Sequence, residues 1–105
     1  MRPSAGAAEA MLKALANRHR LLMLCRLADR ERSVGDLADF LKVRNSTASQ
    51  HLAWLRKDGL VSTRREGQTI WYGLADHSVR RLVETLYDIY CSSSGGRKAK
   101  RRKSR

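Results

Sequence analysis

Cys25 and Cys91 are the only thiols in this 105-residue chain, and they stand 66 positions apart. That number and spacing do not make the disulfide framework of a small secreted protein. In a reducing compartment, a thiol pair that reacts at all is transient or sensory. The three histidines, His19, His51 and His77, form no spacing that marks a metal or catalytic site. No nucleophile–base pair, phosphate-cradling glycine loop or paired carboxylate constellation accompanies them, so an enzyme has the least support and no cofactor is called for. A second set of residues suits different chemistry. Ser46, Thr47, Ser49 and Gln50 are short donors and acceptors close together, and Arg64, Arg65 and Gln68 follow. Such groups reach phosphates and base edges. Small polar residues also solvate ordinary helix starts, and cations also protect a hairpin edge, so the elements that hold these side chains must decide.

The apolar pattern supplies those elements. Residues 7–16 (AAEAMLKALA) are strong helix formers with Met11, Leu12 and Leu15 at turn spacing, and Asn17 closes the run. A second helix covers 18–28, where Leu21, Leu24, Cys25 and Ala28 recur at i, i+3, i+4 and i+7, placing Cys25 on the buried stripe. The charged stretch Asp29-Arg30-Glu31-Arg32 ends it. Ser33, followed three residues later by Asp36, has the form of an N-cap and opens a third helix with Val34, Leu37, Ala38 and Leu41 inward. After a tight turn at Lys42-Val43-Arg44, a fourth helix runs from about Asn45 to Lys57 and stops at Asp58-Gly59. Ala48, Leu52 and Leu55 share its inner face, while Ser46, Thr47, Ser49, Gln50 and Trp54 lie largely elsewhere. His51, one turn before Leu55, reads as a packed or hydrogen-bonded histidine, and His19 and His77 read as isolated. Segments 60–65 (LVSTRR) and 69–74 (TIWYGL) alternate in character around Glu66-Gly67-Gln68, which predicts an antiparallel hairpin. Asp76 caps a last helix over about 77–91, with Val79, Leu82, Val83, Leu86 and Tyr90 on its apolar side and Cys91 off that stripe, near Tyr87.

Length and charge bound the rest. One modest core fits in 105 residues, and two domains do not. The net charge is +12, with 22 Lys and Arg against 10 Asp and Glu, so the natural partner is a polyanion or an anionic surface. Seven of the cations lie at or beyond Arg97, where there is no acid; residues 1–96 keep 15 basic against 10 acidic residues, a net +5. We therefore expect a disordered start over 1–6, one folded domain over 7–91, and a flexible basic tail over 92–105 that begins with Ser92-Ser93-Ser94-Gly95-Gly96. No apolar run approaches the roughly 18–20 residues that cross a bilayer, and the start lacks the continuous apolar block of a secretory signal. The expectation is a cytoplasmic protein without a membrane partner.

Two short helices joined by a three-residue turn make a helix-turn-helix, and the hairpin that follows makes its wing. The predicted fold is mainly α with a two-stranded β-wing, a winged helix-turn-helix. Double-stranded DNA is then the partner, with helix 45–57 in the major groove and its start favouring an anion. Arg64, Arg65 and Gln68, around the wing turn, lie along the backbone or enter the minor groove.

The segments SVGDL (33–37) and NSTASQHLAWLRKDGLVSTRREGQTIWYGLAD (45–76) resemble the ArsR family of bacterial winged-helix repressors, and the likeness covers about residues 8–91. The strings SQHL and GLV…RREG are specific together. The resemblance implies a homodimer built by the first and last helices, two recognition helices on a partly palindromic operator, and repression relieved by an inducer. Arg44 departs from the small polar residue common in the family at that point; it leaves Asn45 as the expected cap and makes Arg44 an added phosphate contact. The paired-thiolate metal site of some relatives would fall on Ser33 and Gly35, neither of which replaces a thiolate. The zinc or nickel type draws on Asp and His from both ends of the last helix, which here offers Asp76, His77, Glu84 and Asp88 without a second histidine, so no metal is expected.

Cys25 and Cys91, set in LLMLCRLAD and LYDIYC, are similar to the dithiol of the persulfide-sensing ArsR subgroup, which represses sulfide-oxidation and biofilm-growth operons. The likeness implies redox-sensing residues Cys25 and Cys91, reactive sulfur species as inducer, and a polysulfide bridge within one protomer that weakens operator binding. Two other readings stay open: a repressor answering peroxide or general oxidants through the same thiols, and a constitutive architectural nucleic-acid binder driven by its basic tail.

Overall fold

One helix, α2 (Arg18–Asp29), touches nearly everything else in the fold. The computed structural model describes residues 5–90, and in it α2 is flanked by α1 (Ala5–Leu15), α3 (Val34–Leu41), α4 (Asn45–Lys57) and α5 (His77–Tyr90), with strands β1 (Val61–Glu66) and β2 (Thr69–Leu74) beyond α4. The core gathers Met23, Leu24 and Leu27 of α2, Leu37 of α3, Leu52 and Leu55 of α4 and Val83 of α5. Burying each of these side chains contributes about 1.5–3 kcal/mol, which is what fixes α4 on the body.

Local chemistry sets the element ends. The Asn17 side chain accepts from the Arg20 N–H at 3.1 Å, so the residue that ends the first run is also the N-cap of α2. The Ser33 Oγ accepts from the Asp36 N–H at 3.2 Å and starts α3 as its spacing predicted. Lys42 takes the left-handed conformation at φ 60° to end α3, and the Val43 N–H returns to the Ala38 carbonyl at 3.0 Å. This closes the helix-turn-helix in three residues. Asp76 Oδ1 accepts from the Val79 N–H at 3.0 Å and starts α5.

The wing pairs Val61 with Leu74 through to Glu66 with Thr69, leaving Gly67 and Gln68 as a two-residue turn. Gly67 sits at φ 61° in the first central position, where a type II′ turn favours glycine. The hairpin gains a third partner. Arg32 and Tyr72 exchange backbone hydrogen bonds of 3.0 and 2.8 Å, and the Arg32 guanidinium, 3% exposed, bridges Asp29 at 2.8 Å and Asp36 at 3.3 Å. The charged stretch read as a simple helix end therefore seats the wing on the α2–α3 corner.

Five expectations need correction. α1 begins at Ala5, so residues 5 and 6 belong to a helix rather than to a disordered start; alanine on both sides offsets the cost of Gly6. Asn45 is the first residue of α4, not its cap: Val43 packs on the core and fixes the turn, which leaves Arg44 extended at the N-cap position without a side-chain cap bond. The fully buried stripe of α2 is Arg20, Met23, Leu24 and Leu27, and Cys25 is half-buried at its edge, because helices pack on α2 from several sides. Tyr90 is 74% exposed instead of inward. His19 is not isolated; its ring meets that of His51 edge-on at 5.5 Å. Cys91 and the expected tail lie outside the described residues.

Candidate nucleic-acid interface and thiol groove

The inner face of α4 is spent on the core, and what remains outward is polar. Arg44, Asn45, Ser46, Ser49 and Gln50 are exposed and Thr47 is half-buried, while Ala48, Leu52 and Leu55 are buried. The first turn of α4 receives no side-chain cap bond from Arg44, which is itself exposed. Unpaired amides at the positive end of a helix favour an anion such as a phosphate. The six residues expected to face DNA from this helix and its turn thus lie together at one end of it.

The wing residues divide. Arg64 and Arg65 point to opposite faces of the ribbon. The Arg64 guanidinium is held by Glu31, with donor–acceptor distances of 2.8 and 3.1 Å, and lies 3.5 Å from Glu66. The hydrogen bonds from Arg64 hold the Glu31 carboxyl below its ordinary 4.5, and the same bonds raise the Arg64 pKa. Arg65 and Gln68 are exposed, Gln68 in the turn itself. Glu31 was not among the expected site residues. It lies 33 positions from Arg64, and the Arg32–Tyr72 seat helps bring the two together.

Behind α4 a second contact reaches it from α2. The Arg20 guanidinium stacks 3.8 Å from the centroid of the Trp54 ring, and the His19–His51 ring pair lies alongside. Burial, then the charge of Arg20, then His19 lowers the His51 pKa from its ordinary 6.5.

The thiol region is on the other side of α2. Cys25 lines a groove of about 340 Å³ walled by Leu12 and Leu15 of α1 and by Leu86, Tyr87 and Tyr90 of α5. A second opening of about 660 Å³ reaches the same cysteine past Arg26, Phe40 and Glu84, with the Arg26 guanidinium 4.5 Å from the Phe40 ring. Ser33, where a metal-binding relative would need a thiolate, is occupied as the α3 cap. Among the described residues no three His, Cys, Asp or Glu side chains converge as a metal site would require, and no helix is long and apolar enough to cross a membrane.

Comparison with known proteins places this architecture. Residues 11–63 match the bacterial regulatory protein, arsR family, pattern, which is half of the chain. The chain belongs to the ArsR family. The transcriptional activator HlyU of Vibrio cholerae is 47% identical over 94 residues, 90% of this chain and 87% of that protein. The structure of reduced HlyU from that organism aligns with a TM-score of 0.79 at 49% identity, covering 83% of this chain and 92% of HlyU. The biofilm growth-associated repressor of Agrobacterium fabrum is 48% identical over 82 residues, 78% of this chain and 70% of the repressor. A homodimeric winged helix-turn-helix DNA-binding domain from Mycobacterium bovis aligns with a TM-score of 0.77 at 33% identity, covering 90% of this chain and 88% of the domain. This ArsR-family chain is accordingly a DNA-binding transcriptional regulator with α4 as the second helix of its helix-turn-helix, and its relatives are regulators rather than enzymes.

Proposed function

We propose that this regulator is a homodimeric repressor that leaves a two-half-site operator when Cys25 and Cys91 become linked through sulfur delivered by a persulfide. The observation that carries the reading is the groove at Cys25. Tyr90, the residue immediately before Cys91 in the chain, lines it. Successive Cα atoms are about 3.8 Å apart, and a disulfide needs Cα atoms within about 7 Å, a span that added sulfur atoms widen. Arg26, which lines the wider opening together with Cys25, adds a cation there that favours an anionic reagent. The relative named as a biofilm growth-associated repressor supports repression, and HlyU, a relative named as an activator and solved in reduced form, supports a redox-linked regulator.

The chemistry balances without a separate oxidant. Each thiolate takes the terminal sulfur of a persulfide RSSH and releases RSH; the two protein persulfides then condense to a trisulfide and release hydrogen sulfide. The link ties Cys25, in the groove that α1 and α5 wall, to the residue that follows Tyr90 in the chain, and so strains the surface that α1 and α5 offer to a second copy. The test is operator affinity of the wild type, Cys25→Ser and Cys91→Ser before and after a persulfide donor, with intact mass recorded. All three proteins should bind alike beforehand. Only the wild type should then release DNA, with a mass one sulfur atom above that of the disulfide. Release by either single variant overturns the paired-thiol mechanism, and equal release by peroxide with a simple disulfide mass favours a general oxidant sensor.

A further inference from the structure

Arg20 is the most deeply placed cation of α2, 7% exposed, and its guanidinium is engaged by two other elements, α1 and α4. Its Nε donates to the Ala14 carbonyl and its Nη2 to the Lys13 carbonyl, both at 3.1 Å, so the guanidinium caps the last turn of α1, where the Lys13 carbonyl also accepts from the Ala16 N–H at 3.2 Å. The same group lies over the Trp54 ring of α4, its Cζ 3.8 Å from the ring centroid. Trp54 is locked in turn, because its Nε1 donates to Asp58, the C-cap of α4, at 2.9 Å. Elsewhere α1 and α4 face one another across an open cleft of about 570 Å³, lined by Glu9 and Lys13 on one side and by Trp54 and Lys57 on the other. A rigid fork is therefore the tie between a helix that walls the Cys25 groove and the helix that reads DNA.

We propose that Arg20 is a positioning residue of the DNA-reading surface: acting through Trp54, it sets the angle at which α4 meets the major groove and couples that angle to α1. Neither residue need touch DNA for this. Base readout demands alignment of the Ser49 and Gln50 side chains with base edges, whereas phosphate attraction tolerates a tilted helix. Loosening the tie should therefore damage discrimination and spare nonspecific binding. Lysine at position 20 keeps a charge over the indole and loses the fork that grips two carbonyls at once.

The inference rests on α4 being the reading helix, and the experiment separates the two. The wild-type chain selects an operator from a random duplex library, and affinities for that operator and for a scrambled duplex are measured at one salt concentration for wild type, Arg20→Lys and Trp54→Leu. Thermal unfolding and sedimentation report that each protein is folded and in its native assembly. Trp54 is 43% exposed, so its substitution keeps the core stripe of α4 and provides a folded variant if Arg20→Lys is unstable. Both variants should lower the operator-to-scrambled affinity ratio by about tenfold while scrambled-duplex affinity stays within about twofold, and the double variant should lose little more than either alone. An unchanged ratio, or equal loss for both duplexes as a smaller folded fraction would give, overturns the role of Arg20. A wild type with no preference overturns the reading-helix assignment and this inference with it.

Discussion

Arg64 and Arg65 are adjacent in sequence and opposite in circumstance. The spacing that made them equivalent phosphate contacts is blind to Glu31, which the Arg32–Tyr72 bridge brings from another part of the chain onto the Arg64 guanidinium. A phosphate reaching Arg64 must displace a carboxylate, whereas one reaching Arg65 meets an exposed side chain. Removing the competing charge by Glu31→Gln should raise affinity for all duplexes severalfold and steepen the fall of log K with log salt by about one, because one more counterion is released. Arg65→Ala should do the reverse, weakening every duplex alike and flattening that slope by about one. Titrations at several salt concentrations measure both, and a Glu31→Gln protein with unchanged slope would show that Arg64 never exchanges Glu31 for DNA. The polar face of α4 differs in kind. Ser49→Ala or Gln50→Ala should leave the salt slope unchanged and relax preference at one base position, by about five- to tenfold in affinity ratio, as selection from a randomised duplex would show.

At the scale of elements, the helix-turn-helix and wing were legible because their signals are local. The Ser33 cap, the turn at Lys42-Val43-Arg44, the stop at Asp58-Gly59 and the alternation on either side of Gly67 each lie within a few residues of what they control. The burial of α2 was not legible, since periodicity assumes one buried face and this helix is enclosed by four helices and a strand. The same enclosure hides the α2–α4 contact, in which His19 and Arg20 of one helix face His51 and Trp54 of the other. This junction should be acid-sensitive. Burial first, then Arg20 and His19, lowers the His51 pKa, so the folded chain binds that proton less readily than the unfolded chain. Its contribution to stability is complete above the unfolded value of 6.5 and is lost as pH falls through 6.5 toward the lower folded value. The midpoint of thermal unfolding should therefore drop between about pH 7 and pH 5, and by less in His51→Gln. The Glu31 carboxyl, whose folded value lies below 4.5, loses its contribution only at lower pH, which keeps the two effects apart. Equal drops in both proteins would assign the loss to other groups.

For the whole molecule, the unanswered surface is the one shared by α1 and α5. Leu12 is 63% exposed, Tyr87 51% and Tyr90 74%, an apolar patch at the mouth of the Cys25 groove, and Ile89 of α5 is exposed as well. Patches of this kind on a small domain mark an interaction surface, and the homodimeric winged-helix relative supports a second copy as its cover. Dimerisation would then do two things at once: enclose the thiol groove between protomers, and hold two α4 helices at the fixed separation that a two-half-site duplex requires. A charge at the centre of the patch separates these from intrinsic folding. Leu12→Lys keeps helix propensity and leaves every core residue in place, so the domain should stay folded. Sedimentation at micromolar concentration should show a monomer, and its thermal midpoint should not rise with protein concentration, whereas that of a dimeric wild type should. Binding should fall by several orders of magnitude on a full operator but only slightly on an isolated half-site, because the loss is of linkage between two reading helices and not of either helix's own contacts. A monomeric variant that still prefers the full operator as strongly as wild type would mean that the two helices are not held by this face, and that sulfur chemistry at Cys25 must reach DNA by a route inside one protomer.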